Sequence, residues 1–460
     1  MIDNLSFLSV DQAPRPFDFP PAFETAMRER LKADFMAFAG AHQHTTPVSI
    51  RLNPAKATSD IGSPTPWATS GRYLPGRPSF ITDPLWHAGA YYVQEASSMF
   101  LEQAIMTIRP ASISRALDLC AAPGGKSTHL LSLLPPDAVV IANEVIRSRA
   151  TILSENIQRW GQWNVIVSNN DPSHFSRLEA LFDLIVVDAP CSGEGLFRKD
   201  PDAIEEWSVE HVRLCAARQK RILEDVWPAL AVGGHLVYCT CTYNADENEK
   251  NLASFSKAQA LEFVPIPVNA SWGIETVQHD DVVGYRFYPH RVDGEGFFLS
   301  VLRKKQGPPP MQVPKVRKRK EPSPALVGQV ECWLRPHTQF SIEILNDTLF
   351  VFPDPDLLAF VENNLKVVTA GTTMATIKRD KLVPETALAF ATSLQPMAFP
   401  RIELTLEQAL KYLRKESLSL ERQGSGFALA TYGNLGLGWM NMLPNRINNL
   451  YPSHWRILKS

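Results

Sequence analysis

Between Ser114 and Lys305 the chain alternates short apolar runs with amphipathic ones, and this alternation restricts the fold more than any other feature. "ALDL", "AVVIANE", "NVIVSNND", "FDLIVVDAP" and "GGHLVYCTCTYN" read as strands. Helical stretches separate them: "STHLLSLL", "SRATILSENIQRWG" with Gly161 at its stop, and "VEHVRLCAARQKRILEDVWPAL". Strands that are apolar throughout belong to a sheet covered on both faces, and strand–helix alternation joins them in parallel. The expected fold is α/β, a Rossmann-like doubly wound sheet, with "EGFFLSVLRKK" as a last strand.

The flanks are less regular. "PPAFETAMRERLKADFMAFAGA" has the spacing of one or two amphipathic helices, and "VSIRLNP" reads as a strand stopped by Asn53-Pro54. "AYYVQEASSMFLEQAIM" starts extended and turns helical at Ser97, a residue suited to an N-cap. After Lys305, "PPPMQVPKVRKRKEPSP" reads as a basic linker too polar and Pro-rich to pack. The rest reads as short strands and helices in two small α+β modules. The expected division is 1–110, 111–305, a linker at 306–325, 326–395 and 396–460.

Composition removes several function classes. The chain is 45% apolar and 20% charged, as ordinary globular proteins are. No apolar run reaches the ~18 residues of a membrane span. The start, "MIDNLSFLSVDQAPRP", lacks the basic-then-apolar pattern of a secretory signal. A cytoplasmic monomer without a membrane partner is expected. The six cysteines (Cys120, Cys191, Cys215, Cys239, Cys241 and Cys332) are too sparse for a disulfide framework and form no CxxC pair, so no metal is expected. The net charge of −2 hides a basic stretch from Arg303 to Lys320, either a solvated linker or a phosphate contact.

In open parallel sheets, ligands bind at the carboxyl ends of the strands. Asp118, Glu144, Asp171, Asp188 and Cys241 stand at or near those ends. The loop Cys120, Ala121, Ala122, Pro123, Gly124, Gly125, Lys126 follows the first strand. Its glycines allow a close backbone approach, and the helix after it offers free N–H groups. It matches neither GxGxxG nor GxxxxGK[ST], so nucleoside triphosphate binding is unsupported. A tight structural turn is the alternative reading. Glu144 lies at roughly the spacing where a carboxylate takes ribose hydroxyls, and Asp171 is placed to accept from an adenine amino group. That set suits an adenosine ligand without phosphates, such as S-adenosylmethionine.

"DAPCSG" brings Asp188 off a buried strand and presents Cys191 after Pro190. Asp188 caps a turn in the plainer reading. A second thiol on the neighbouring strand end favours covalent catalysis, in which a thiolate adds to an electrophilic carbon. Cys239 and Cys241 share one face of their strand, so periodicity does not choose between them. Position favours Cys241, nearer the crevice, with Cys239 one step deeper as core.

"LDLCAAPGGKS", "NEVIRSRATILSENIQRWG", "DLIVVDAPCSGEGLFRKDP" and "VYCTCTYNADENE", in this order, resemble the Nop/Sun family of RNA cytosine-5 methyltransferases. The resemblance runs from about residue 20 to 305. The C-terminal "GNLGLGWMNMLPNRINNLYPSHWRI" is similar to the PUA-like tail of the bacterial small-subunit rRNA methyltransferase F group. It implies an S-adenosylmethionine-dependent methyltransferase domain between an RNA-binding extension and a PUA-like module. Cys241, in Thr240-Cys241-Thr242, is then the nucleophile toward cytosine C6. Asp188, protonated or sharing a proton, faces N3, and Cys191 assists release. Lys126 lies near Asp188 or the methionine part, or is a solvated first-turn lysine. The Cys120–Lys126 loop, Glu144, Arg149, Asp171 and Asp188 hold the cofactor. Arg51, Arg198 and Lys199 are candidate phosphate contacts. The implied partner is 16S rRNA or the small ribosomal subunit. A tRNA substrate keeps the same chemistry. A non-catalytic assembly factor is disfavoured because Asp188, Cys191 and Cys241 are all present.

Overall fold

In the computed structural model, which describes residues 18–56, 61–315, 321–336, 340–379, 381–418, 420 and 424–458, the apolar runs form the middle of a ten-stranded sheet. Its parallel core runs Leu230–Thr240, Phe182–Asp188, Arg115–Asp118, Val139–Asn143, Val165–Ser168 across the sheet. The chain steps outward from Arg115–Asp118 in one direction. It then returns to place Phe182–Asp188 on that strand's other side. The strand order therefore reverses beside Asp118 and Asp188, where a crevice must open.

Alternating side chains serve the two faces. Val237 and Cys239 enter one apolar cluster with Leu184, Val186, Val140 and Ala142. Leu236 and Tyr238 enter the opposite cluster with Ile185, Val187, Leu117 and Ile141. Helices Gly125–Leu133 and Arg147–Trp160 cover the first face. Helix Val209–Val226 covers the second, its N-terminus capped by Ser208 Oγ, which accepts from His211 N. Gly161, at φ 90°, ends Arg147–Trp160 in the left-handed turn expected of a C-terminal glycine.

Antiparallel strands extend the sheet on both sides. Phe297–Lys304 pairs with Leu230–Thr240 and is followed by Val282–Phe287 and Glu275–His279. At the other edge, Val367–Ala370 pairs with Val165–Ser168. The segment expected as a separate module at 326–395 thus lends a strand to the ten-stranded sheet. Its remaining strands, with Phe350 and Phe352 buried in the second cluster, form a four-stranded sheet of their own. A further four-stranded sheet, Arg401–Glu403 to Arg446–Asn449, closes the chain. At the front, Ser63–Thr65, Ala68–Leu74, Val48–Leu52 and Tyr91–Val93 form another sheet. Helices Pro21–Leu31 and Phe35–Ala41 pack Phe23, Phe35 and Phe38 against Phe197, Tyr243 and Tyr288. No helix among the described residues is long and apolar enough to cross a membrane.

Three local expectations change. Ser97 is not the N-cap. The Glu95 carboxylate accepts from the Ser97 and Ser98 N–H groups at 2.8 and 2.9 Å, and Ser97 Oγ donates instead to Glu295 O. The third parallel strand ends at Ser168, before Asp171. The start of the Pro-rich linker does pack: Met311 N donates to Ala180 O at 2.8 Å, Arg115 Nη1 donates to Met311 O at 2.8 Å, and Met311 and Val313 lie against the second apolar cluster. Two apolar side chains there outweigh the polar composition. The basic run 316–320 lies outside the described residues.

Candidate active site

The reversal of strand order opens into a cleft of about 490 Å³. Cys120, Ala122, Lys126, Glu144, Arg149, Asp171, Asp188, Cys191 and Cys241 line it together. Ala121, Pro123, Gly124 and Gly125 are not among the lining residues. Gly124, at φ 116°, makes the left-handed turn that starts the helix. A Cβ at Gly125 would stand 3.5 Å from the Tyr92 ring and 3.6 Å from the Gln94 side chain. The glycines therefore face the N-terminal sheet rather than the cleft. From that side Arg51 braces the loop: it is fully buried, donates to Gly125 O at 3.2 Å, Thr128 Oγ1 at 2.6 Å and Gln94 Oε1 at 2.9 Å, and lies over the Trp160 ring. Arg51 is thus not a phosphate contact. Arg198 is not one either, since it is buried against Glu295 at 3.0 Å. Lys199 is exposed.

Glu144 follows its strand directly. Oε1 accepts from Ile146 N at 2.9 Å, and Oε2 lies 3.3 Å from Arg149 Nη1. Arg149 Nη2 also donates to Ala122 O at 2.9 Å, so it ties the Glu144 turn to the Cys120–Lys126 loop. Asp171 is three residues past its strand and caps the short helix Pro172–Arg177. Its Oδ1 accepts from Ser173 N and Oγ at 3.0 and 2.7 Å, which hold the carboxyl below its usual range. Ile222, Val145, Ile146 and Pro172 give this half of the cleft an apolar wall.

The other half carries the reactive groups. Lys126 Nζ sits 2.7 Å from Asp188 Oδ2 and 5.3 Å from the Phe297 ring. Burial pulls the Lys126 ammonium down, but the Asp188 carboxylate outweighs it and holds the ammonium above the usual lysine range. The Asp188 side chain is 37% exposed, so its carboxylate is open to the cleft. Cys191 Sγ and Cys241 Sγ are 3.1 Å apart, and Cys241 N donates to Cys191 Sγ at 3.4 Å. The contact with Cys241 and burial push the Cys191 thiol well above its usual range. Cys239 is fully buried in the core, one residue inside the end of the strand.

Behind the thiols lies a buried polar network that the sequence reading did not single out. Glu247 accepts from Ser192 N at 3.0 Å, Ser192 Oγ, Gln219 Nε2 at 2.7 Å and Asn244 Nδ2 at 2.6 Å. Glu194 accepts from Tyr243 N at 2.8 Å, Asn244 N at 2.9 Å and Trp207 Nε1 at 3.1 Å. The two carboxylates join the loop carrying Cys191 to the loop carrying Cys241. The signal available was the polar "YNADENE" run directly after an apolar strand. No group of three or more side chains suited to hold a metal ion occurs among the described residues.

Three family models match the chain. They cover residues 105–303 (16S rRNA methyltransferase RsmB/F), 19–96 (N-terminal domain of 16S rRNA methyltransferase RsmF) and 399–457 (methyltransferase RsmF PUA domain). Ribosomal RNA small subunit methyltransferase F of Escherichia coli O1:K1 is 36% identical over 320 residues, which is 65% of this chain and 66% of that protein. The protein of the same description from Escherichia fergusonii gives the same identity and the same coverage. The chain thus spans just under two thirds of the length of these relatives. The crystal structure of NSun6 from Pyrococcus horikoshii with SFG shares the fold at a TM-score of 0.55 and 20% identity, over 64% of this chain and 100% of that one. A methyltransferase homolog protein from Pyrococcus horikoshii does so at 0.52 and 26%, over 62% and 99%. With its catalytic sheet, its N-terminal domain and its C-terminal domain each matched in order, the chain belongs to the RsmB/F family of 16S rRNA methyltransferases.

Proposed function

We propose that the protein methylates C5 of a cytosine in RNA, with 16S rRNA of the small ribosomal subunit as substrate and S-adenosylmethionine as methyl donor, through a covalent bond between Cys241 and C6. The observation that carries this reading is the Cys191–Cys241 pair at 3.1 Å in the same cleft as the Lys126–Asp188 ion pair. The residues present suit the donor. Glu144 and Asp171 keep acceptor lone pairs for ribose hydroxyls and an adenine amino group. Ile222 and Pro172 offer an apolar wall for the ring, and the Glu144, Asp171 and Asp188 carboxylates line the same cleft. When bound, S-adenosylmethionine supplies an electrophilic methyl group.

Cytosine C5 is a poor nucleophile until C6 carries an electron-rich substituent. Cys241 Sγ, as thiolate, forms a bond to C6, and the electron pair of the C5–C6 double bond moves toward the ring and N3. The Lys126–Asp188 pair stabilises the charge at N3 by hydrogen bonding and sharing a proton. With the donor bound, C5 would take its methyl group as the methyl–sulfonium bond breaks, and the donor would leave as a neutral thioether. Loss of the C5 proton restores the double bond as the C6–S bond breaks. Cys191, 3.1 Å from Cys241 Sγ, takes that proton after handing its own to solvent. The N-terminal domain and the module at 396–460 are read as holding the RNA, and the target base must leave its stack to reach the cleft.

Bisulfite sequencing of rRNA and tRNA from cells with and without the gene tests the reaction. A cytosine in 16S rRNA that loses protection in the deletion is expected. No change at any cytosine refutes the reading, and a change confined to tRNA refutes the assigned substrate. Cys191→Ala is expected to trap a protein–RNA adduct that resists denaturing electrophoresis, and Cys241→Ala to abolish it. An adduct that persists in the double variant refutes the assignment of the thiols.

A further inference from the structure

A second cavity, of about 260 Å³, lies between the N-terminal sheet and the end of helix Arg147–Trp160, on the far side of the Pro123–Gly125 turn from the cleft. Its walls are aromatic and cationic. Phe80, Trp86, Tyr92 and Trp160 line it with Arg77 and Arg159, and no carboxylate is among the lining residues. Arg77 is exposed and lies 5.8 Å from the Phe80 ring centroid, and Arg159 lies 5.4 Å from that of Trp86. The acids nearby are engaged elsewhere. Glu155 faces the outer nitrogen of Arg159 at 3.7 Å, and Asp83 accepts from Tyr91 Oη and Leu85 N.

Two nitrogens lie sealed behind this wall. Arg159 Nε and Trp160 Nε1 are buried without a hydrogen-bond partner among the described residues, and Trp160 is 1% exposed. Both nitrogens are closed off from solvent, so what the cavity itself offers an occupant is its ring faces and the exposed Arg77 guanidinium. Such an occupant must be flat and compatible with positive charge. Aliphatic ligands would gain nothing from the stacked guanidinium and ring edges, and a cation would meet two arginines.

We infer that this cavity binds an unpaired nucleobase of the substrate RNA, a nucleotide other than the methylated cytosine, with the phosphate beside it on Arg77. The inference rests on the RNA-directed reading above. Bases splayed from single strands stack on aromatic and guanidinium planes. The site also touches the catalytic loop from behind. Asn156, in its wall, donates to Pro123 O at 2.8 Å, and the Tyr92 ring packs on Gly125. A base seated here would fix the strand on the same element that shapes the methyl-donor site.

The test uses the full-length protein and 5′-fluorescein-labelled single-stranded RNA bearing 4-thiouridine. Ultraviolet crosslinks mapped by mass spectrometry are expected on the peptides carrying Phe80, Trp86 or Tyr92. Arg77→Ala and Phe80→Ala, both on partly or fully exposed side chains, are expected to weaken binding by anisotropy about 5- to 100-fold, the range for losing one stacked base. Their melting temperatures should stay within about two degrees of the parent. Crosslinks only elsewhere, or binding within twofold of the parent in both variants, overturn the inference while leaving the methyltransferase reading intact. Adenosine monophosphate that binds the cavity as tightly as the RNA does would assign it to a free nucleotide and also overturn it. A parent protein that binds no RNA at all would instead refute the reading on which the inference rests.

Discussion

Replacing Glu247 with alanine should damage both stability and the attacking geometry, and the structure sets the scale. The carboxylate is fully buried and accepts four hydrogen bonds. Three of its donors have somewhere else to turn. Ser192 Oγ lies 3.0 Å from Thr242 Oγ1, Asn244 Nδ2 lies 3.0 Å from Glu194 Oε1, and Gln219 Nε2 lies 3.1 Å from Pro190 O. Ser192 N has no such substitute and becomes a buried unpaired donor, at about 1–3 kcal/mol. Weakening of the three charge-assisted bonds adds a comparable amount, so a loss of roughly 3–5 kcal/mol is expected. Ser192 follows Cys191, and Asn244 lies three residues after Cys241, so slack in this network displaces the thiols relative to the base. A displacement near 1 Å costs about 100-fold in rate. Glu247→Gln keeps the shape and one acceptor oxygen but turns an amide NH₂ toward one pair of donors, either Ser192 N with Gln219 Nε2 or Ser192 Oγ with Asn244 Nδ2, so it should fall between the parent and alanine. Urea unfolding followed by circular dichroism gives the stability. Single-turnover adduct formation in the Cys191→Ala background gives the rate. Alanine at 247 with stability within 1 kcal/mol of the parent and an adduct rate within threefold would refute this account of the network.

Three further outcomes follow from the geometry. Lys126→Met removes the ammonium from Asp188, and adduct formation should slow by about 100-fold or more while RNA affinity measured by anisotropy stays within threefold; equal loss in both would make Lys126 a phosphate contact instead. Arg51→Ala should cost about 3–5 kcal/mol in urea unfolding, because Gly125 O, Thr128 Oγ1 and Gln94 Oε1 lose a buried guanidinium, and it should leave the salt dependence of RNA binding unchanged; a shallower salt slope with unchanged stability would reverse its assignment. Burial pulls the imidazoles of His42 and His87 down to about 4, whereas in the unfolded chain they take protons near 6.5, so between these values the unfolded state binds more protons, and the stability present above pH 6.5 is lost as pH falls through 4. Each contributes up to ~3 kcal/mol, read from urea midpoints at pH 7.5 and 4.5, and a midpoint that does not fall on acidification would refute the role given to these two.

The parallel sheet was legible because strands covered on both faces must be apolar throughout, and no other element of that length is. The reactive groups were legible for a related reason: a carboxylate or thiol just past such a run has one place to go, the open end of the sheet. Asp188, Cys191 and Cys241 follow that logic. Asp171 follows it less well, because three residues intervene and its carboxylate folds back onto Ser173. Some charged residues resisted reading. Arg51 and Arg198 look like surface cations in sequence, but each is matched by partners from segments far away, and burial decided by such partners leaves no local trace. The edge strand Val367–Ala370 is hidden for the same reason, since pairing with Val165–Ser168 depends on where the C-terminal part docks.

The two cysteines that share a face of one strand show what separates a packing thiol from a reactive one. Both obey the period of two, and their chemistry is alike in isolation. Cys239 lies within the ladder, opposite Leu299 on one side and Asp188 on the other, and its side chain joins the apolar cluster. The strand ends at Thr240. One residue on, Cys241 O no longer accepts from a neighbouring strand but from Gly195 N, at 2.8 Å, in the loop that carries Cys191. A side chain at Gly195 would meet Gly296 O at 2.5 Å and Cys241 O at 2.8 Å, so only glycine admits this approach. The exchange of partner turns the chain out of the sheet and sets Cys241 Sγ against Cys191 Sγ. The proposed division between a packing and a reactive thiol therefore follows where the hydrogen-bond ladder stops, a boundary that falls between two residues of the same type.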